Sequence, residues 1–369
     1  MLQNILITVA AMVGLNGLLA LILALAERIF ANYGDYEITI NQEKKLTLKG
    51  GSSLLSTLKS QGIYLPSACG GRGTCGYCKC KITEGAGNLL PTEEPLLGET
   101  ERQNQIRLAC QVKLKRNMMM EIPDELFNIR QFRARVAILK DLTYDIKLLQ
   151  LRLGSNEQIH FKAGQYVQLE SKPYGDVKES VIRAYSICSP SFTPNYIELM
   201  IRQVPDGICT TWAHRHLREG DEVSFIGPMG DFFMRPAEGE IIMIAGGSGM
   251  APMVSLLHDM VQTQNPRPAT FFFGARTTKD LFYLDEMNEL QRQAPNFRFI
   301  PALSAPTAEE EWKGETGLIT DVVHRHISKR NMTQAQGYLC GSPGMVKACM
   351  AVLNKNGISN DRIFFDPFA

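Results

Sequence analysis

The segment CGGRGTCGYCKC, from Cys69 to Cys80, together with RLACQV from Arg107 to Val112, constrains the fold more than any other part of the chain. Cys69, Cys75 and Cys78 share one glycine-rich loop, and Cys110 must return to it from a separate strand. Four thiolates gathered in this way suit a [2Fe-2S] cluster, because two irons bridged by two sulfides need four soft ligands. Gly70, Gly71, Gly73 and Gly76 let the backbone turn tightly with its amides aimed at the negative sulfurs. Two other arrangements compete. A structural zinc site also takes four cysteines, but usually as two Cys-x-x-Cys pairs, and only Cys75 and Cys78 are so spaced. A disulfide framework suits a long chain with nine cysteines, an odd number, poorly. Cys80 lies two residues past Cys78, and strand alternation points it away as a bystander.

A chain of 369 residues has room for two or three cores. Its 39 basic and 38 acidic residues indicate neither a nucleic-acid partner nor a strongly acidic substrate. Ile5 to Ala26 is apolar except at Thr8, Gly14, Asn16 and Gly17, and these 22 residues can cross a bilayer as a helix. Ala24, Leu25 and Ala26 resemble a signal-peptidase site, but the MLQN start lacks positive charge and the run exceeds a usual signal core. The expectation is a retained transmembrane anchor over residues 1–30. Basic residues begin at Arg28, which places the remainder on the cytoplasmic side of the inner membrane, single-pass.

The expected fold is multidomain. Residues 33–127 alternate strand-like runs with the helical SLLSTLKSQG, an α+β ferredoxin-type, β-grasp-like module ending near Pro123. Residues 128–236 read as an antiparallel β-barrel, from runs such as IKLLQLRL and YIELMIRQV separated by turn signals. From 237 to 369 an apolar strand, IIMIAGG, leads into a helix and then further strands alternate with helices, the pattern of a parallel α/β sheet.

Three motifs in these segments carry chemistry. Arg183 can grip a phosphate, Tyr185 can lie flat on a ring and Ser186 can donate to a ring nitrogen; alone, RAYS could equally be ordinary surface. Gly207, Ile208, Cys209 and Thr210 open a short helix whose first amides suit a pyrophosphate, although Thr210 could serve simply as its cap. Gly246, Gly247, Ser248 and Gly249, before Met250, Ala251 and Pro252, form a strand-to-helix turn fit for a dinucleotide phosphate or merely a tight turn.

The order RAYS, GICT, GGSGMAP, CGSPGM resembles the ferredoxin-NADP reductase superfamily from Asn128 to Ala369. With the anchor and the ferredoxin part, the whole chain resembles the family of F subunits of sodium-translocating NADH:quinone reductases. The resemblance implies that Cys69, Cys75, Cys78 and Cys110 ligate the cluster, and that Arg183, Tyr185, Ser186, Gly207, Cys209 and Thr210 hold FAD. It further implies that Gly246, Gly247, Gly249 and Gly341 hold NADH, that Cys340 lies beside the nicotinamide, and that Phe368 covers the flavin until nicotinamide displaces it. Without it, Cys340 reads as a buried strand-end cysteine and Phe368 as a loose tail. Asp280 occupies the position near the adenine ribose, where a carboxylate favours NADH and repels a 2′-phosphate. The implied activity is hydride transfer from NADH to FAD, with Ser186 orienting the flavin, then single-electron transfer through the cluster to the membrane subunits of a respiratory quinone reductase. Sodium coupling would belong to those subunits. Two departures stand out: the chain is shorter than expected of that family around the flavin part, and Arg72 stands where a glycine is common in the cysteine loop. A reductase feeding a diiron or other oxygenase, and a non-catalytic redox sensor or scaffold, are the alternatives.

Overall fold

Alternating burial along Asp35–Ile40 (β1) sends Ile38 and Ile40 into a core, and the same logic shapes the rest of the first unit. The computed structural model describes residues 12–22, 34–67, 69–123, 126 and 129–367. β1 pairs antiparallel with Lys44–Lys49 (β2) and parallel with Met118–Glu121 (β5). Lys79–Glu84 (β3) lies antiparallel between β5 and Ile106–Leu108 (β4), giving the order β2-β1-β5-β3-β4. The helix Leu54–Ser60 starts where the Ser53 hydroxyl accepts the Ser56 amide, and it buries Leu54 and Leu58 completely against this mixed sheet. Each such leucine contributes roughly 1.5–3 kcal/mol. The unit is a β-grasp whose cysteine loop joins helix to β3.

Residues 129–367 form a second unit. Arg130–Asp141 (β6), Ile146–Leu153 (β7), Tyr166–Glu170 (β8), Ile182–Ser186 (β9), Tyr196–Arg202 (β10) and Glu222–Met229 (β11) pair antiparallel in the order β10-β7-β6-β11-β8-β9. A bridge between Ile187 and Leu199, with the Cys188 amide donating to Glu198 O at 2.8 Å, joins the outer strands and closes the barrel. Closure removes both open edges.

Beyond it, Ile241–Gly246 (β12), Ala269–Ala275 (β13), Phe297–Leu303 (β14), Glu315–Thr316 (β15), Gln336–Gly341 (β16) and Ile363–Pro367 (β17) are all parallel, in the order β15-β14-β13-β12-β16-β17. Helices Met250–Gln262, Leu284–Gln293, Ile319–Ile327 and Pro343–Lys355 cover the sheet, so β12 is apolar on both faces. The order runs outward from β12 through β13 and β14, then resumes on its other side at β16. The crevice beyond the carboxyl ends of β12 and β16 is therefore the topological switch point, where ligands bind in such sheets. Barrel residues Ile146, Leu148, Cys188 and Phe232 share one core with the helix Met250–Gln262, and Ser255 Oγ donates to Ser189 O at 2.8 Å across it.

The anchor is not borne out as a span. Residues 12–22 are helical with their side chains exposed, and among the described residues no helix is long and apolar enough to cross a membrane. The rest of the 1–30 segment lies outside the described residues.

Candidate cluster and dinucleotide sites

In the first unit the four loop and strand cysteines stand as two pairs. Cys69 and Cys75 have their sulfurs 3.4 Å apart, and the thiols of Cys78 and Cys110 are hydrogen-bonded to each other. Two thiolates about 2.3 Å from one tetrahedral ion stand about 3.8 Å apart, so the Cys69–Cys75 spacing is close to that of two ligands on one metal. Among the described residues no three His, Cys, Asp or Glu side chains gather to hold a single ion, and all nine cysteines are free. Two pairs suit two sulfide-bridged irons better than one zinc. Burial raises the Cys69 thiol, but the amides of Thr74 and Cys75 outweigh it and bring it to about 6. Burial pushes Cys75 up. In the other pair, the Cys78 hydrogen bond lowers Cys110 to about 7 while the same bond, seen from Cys78, raises that thiol. Each pair thus has one acidified thiol, and loading would release protons from the others. Cys80 lies in the core, 4.0 Å from Arg107 O, with burial pushing it up to about 12.

Cys110 is held in place by a buried ion pair. Glu93, fully buried, takes Arg107 Nε at 3.0 Å and Nη2 at 2.5 Å and also the amides of Leu90 and Leu108 at 3.1 and 2.9 Å. Arg107 also donates from Nη1 to Gly87 O and from Nη2 to Asn88 O, each at 2.9 Å. The excursion 87–93 is thereby latched to β4, and just beyond it the Ala109 amide donates to Cys78 O at 2.8 Å.

In the second unit β9 delivers the RAYS residues to the end of the barrel. Arg183 is half-buried, with Nη1 donating to Ile182 O at 2.7 Å. The Tyr185 hydroxyl is buried without a hydrogen-bonding nitrogen or oxygen, and burial raises its pKa beside the Cys209 thiol. Its partner is that thiol, to which it hydrogen-bonds. The Thr210 hydroxyl accepts from the Val204 amide and donates to Gly207 O, both at 3.2 Å, so it ties the approach to the helix together, while the cap position itself is Gly207. A Cβ on Gly207 would press on that hydroxyl.

Ser186, 4% exposed, donates its hydroxyl to Asp366 Oδ2 at 3.4 Å. Asp366 pairs with Cys340 in the register of β16 and β17. Burial raises its carboxyl to about 6, and burial followed by this carboxylate raises the Cys340 thiol. Ser186, Asp366 and Cys340 therefore meet at the switch point. Asp366 has no motif around it, and strand pairing is what brings it to Cys340.

The turn after β12 lines the same crevice. Gly247 has φ +56°, and a Cβ there would stand 3.4 Å from Arg202 Nη1, whose Nε donates to Asp145 at 2.8 Å. A Cβ on Gly249 would collide with the Cys340 carbonyl, and one on Gly341, at φ +152°, would displace the end of the Met345 side chain. At Gly249 only bare backbone fits, and a turn of this kind can approach a dinucleotide phosphate closely. Gly246 packs on Met345. Asp280 does not stand free: Oδ2 accepts from Thr277 N and Oγ1 at 2.8 and 3.0 Å, and Oδ1 accepts from Tyr144 Oη at 3.0 Å. Phe368 lies outside the described residues. Arg202 and Tyr144 were not among the expected site residues, because each belongs to the barrel and reaches Gly247 or Asp280, respectively, only in three dimensions.

Three protein-family profiles match along the chain: a 2Fe-2S iron-sulfur cluster binding domain over residues 38–115, an oxidoreductase FAD-binding domain over 133–234 and an oxidoreductase NAD-binding domain over 243–351. The cytochrome P450 reductase GcoB of Amycolatopsis is similar in structure, with TM-score 0.73 and 28% identity over 90% of this chain and 98% of that one. The ferredoxin reductase in carbazole 1,9a-dioxygenase has TM-score 0.69 and 26% identity over 91% of this chain and 99% of that one. Fold and domains together define an NADH oxidoreductase that uses FAD and a [2Fe-2S] cluster in one polypeptide. Over the whole length the similarity narrows. The F subunit of the Na(+)-translocating NADH-quinone reductase is 36% identical in Psychrobacter cryohalolentis over 393 residues, 35% in Pseudomonas aeruginosa over 389 and 33% in Neisseria gonorrhoeae over 388, each covering 95% of this chain and 95–96% of the relative. The chain belongs to this family of F subunits. An alignment of 393 positions exceeds the chain's 369 residues, so the Psychrobacter relative carries residues this chain lacks.

Proposed function

We propose that this chain is the NADH-oxidising subunit of a membrane sodium-translocating quinone reductase, taking hydride at the second unit and releasing single electrons from the first. What carries the reading is that one polypeptide holds both the paired-thiol loop and the Ser186–Asp366–Cys340 crevice, within a 33–36% whole-length likeness to those F subunits. When bound, FAD accepts hydride and passes electrons singly to the cluster.

The residues have distinct duties. Arg183 and the first amides after Gly207 hold the FAD phosphates, with Thr210 shaping that turn, and Tyr185 and Cys209 pack against the flavin. Ser186 lies toward the flavin ring, and Asp366, protonated below about pH 6 and accepting the Ser186 hydroxyl when ionised, orients it. The Gly246–Gly249 turn, with Arg202 beside it, receives the NADH phosphates, while Cys340 and Gly341 narrow the space for the nicotinamide. Asp280 keeps lone pairs for the adenine ribose. Phe368 shields the flavin between turnovers. Cys69 and Cys75 ligate one iron and Cys78 and Cys110 the other. Residues 1–30 anchor the chain in the inner membrane with the enzyme on the cytoplasmic side.

The oxygenase-reductase alternative draws on the 26–28% structural likenesses, which concern reductases of that kind. Isolation from native membranes separates the two: copurification with integral-membrane subunits supports the quinone-reductase reading, and recovery as a soluble partner of a hydroxylase supports the other. Rapid NADH oxidation with an artificial acceptor by a chain lacking residues 1–30 excludes a non-catalytic scaffold.

A further inference from the structure

The turn that carries Cys110 brings a second group to the same sulfur. The Gln111 and Val112 amides both donate to Leu108 O, at 2.8 and 3.2 Å, and this curl turns the Gln111 side chain back over Cys110. Its Nε2 donates to Cys110 Sγ at 3.4 Å, a normal length for a sulfur acceptor. With the opposite amide orientation, the carbonyl oxygen would face an anionic sulfur, so the nitrogen belongs there.

The loop is shaped around this side chain. Gly73 adopts φ +75°, and a Cβ at that position would collide with the Gln111 amide nitrogen and carbon. The Gly73 amide also donates to the Cys110 sulfur. A glycine and a glutamine, far apart in sequence, therefore converge on one sulfur.

We propose that Gln111 tunes the reduction potential of the cluster by donating its side-chain amide to the sulfur of Cys110; this rests on Cys110 being a cluster ligand. The added electron makes the ligand sulfurs more negative and better acceptors, so a donor aimed at one of them stabilises the reduced cluster more than the oxidised one. Gln111 is a positioning residue acting through Cys110. A hydrogen bond of ordinary net strength that favours the reduced form changes the reduced-to-oxidised ratio at fixed poise about fivefold, which is about 40 mV at 59 mV per tenfold.

The test is an anaerobic redox titration of the full chain by electron paramagnetic resonance, comparing wild type with Gln111→Met, which keeps the length and loses the donor. The expected result is a potential lowered by the equivalent of about fivefold, with NADH reduction of the flavin unchanged. Selective nitrogen-15 labelling of glutamine side chains in the wild type supplies a second readout that needs no variant: a nitrogen hyperfine coupling in the reduced cluster. A normal cluster signal without that coupling, or an unchanged potential in a cluster-loaded Gln111→Met, overturns the role of Gln111 alone. Absence of any cluster signal in the wild type overturns the ligand assignment and this inference with it.

Discussion

Glu93→Ala is the sharpest perturbation of the cluster unit. It strands the buried Arg107 cation and removes the acceptor of the Leu90 and Leu108 amides. Breaking a buried pair from one side costs about 3–5 kcal/mol, because the surviving charge remains out of water. For a domain of 60–100 residues each kcal/mol lowers the midpoint by about 4–8 °C, so the variant should lose its cluster at least about 12 °C below wild type. Visible circular dichroism of the cluster at wavelengths longer than the flavin absorbs, followed on heating the full chain anaerobically, reads this unit alone. The double variant Glu93→Met/Arg107→Met removes both charges, and apolar replacement of a whole pair is often neutral. It should recover at least about half of the lost degrees, the rest being withheld by the Gly87 and Asn88 carbonyls that Arg107 served. Acid gives an independent sign. Burial raises the Glu93 carboxyl, but Arg107 and the two amides outweigh it and hold it below its ordinary value. A depressed carboxyl contributes stability above its unfolded value of about 4.3 and loses it as pH falls through the lower folded value. Wild type should therefore weaken below about pH 4 by an increment that the double variant lacks. A Glu93→Ala midpoint within about 4 °C of wild type, or a double variant no better than the single, would refute the latch.

Three further outcomes follow from the same geometry. Asp366 has its folded value raised to about 6, so its favourable contribution is full below about pH 4 and lost by about pH 6; at 1.36 kcal/mol per unit that is about 3 kcal/mol, and Asp366→Asn should not show the decline. Parallel pH profiles of urea unfolding for the two proteins would count against a buried, charge-averse carboxyl. Cys75→Ala should leave NADH reduction of the flavin intact in rapid mixing while stopping transfer onward; loss of flavin reduction in a folded variant contradicts the order of transfer. Gly249→Ala forces a Cβ onto the Cys340 carbonyl, and overpacking of this kind costs about 1–3 kcal/mol, so NADH should bind at least about fivefold more weakly while FAD content holds. Unchanged NADH affinity there would remove the β12 turn from the site.

The parts of this site that were legible from sequence are those whose chemistry sits in one stretch of chain. CGGRGTCGYC is a loop because glycines and thiols alternate within it, and GGSGMAP is a turn because a strand ends and a helix begins there. Even in these places sequence left choices that only three dimensions resolve. Thr210 ties the loop before its helix rather than capping it, Asp280 is already engaged by Thr277 and Tyr144, and the thiols sort into Cys69 with Cys75 and Cys78 with Cys110. The illegible parts are pairs made by register. Asp366 meets Ser186 because β17 lies beside β16, which lies beside β12, an order that a run of apolar residues does not encode. Glu93 meets Arg107 because an irregular excursion folds back over β4, and Arg202 reaches the turn after β12 from the barrel. In each case the partner is a charged side chain in an otherwise apolar or irregular stretch. Burying such a charge is costly unless something pairs with it, so an isolated carboxylate such as the one in FFDPFA was the one signal that could have pointed to a site before any fold was known.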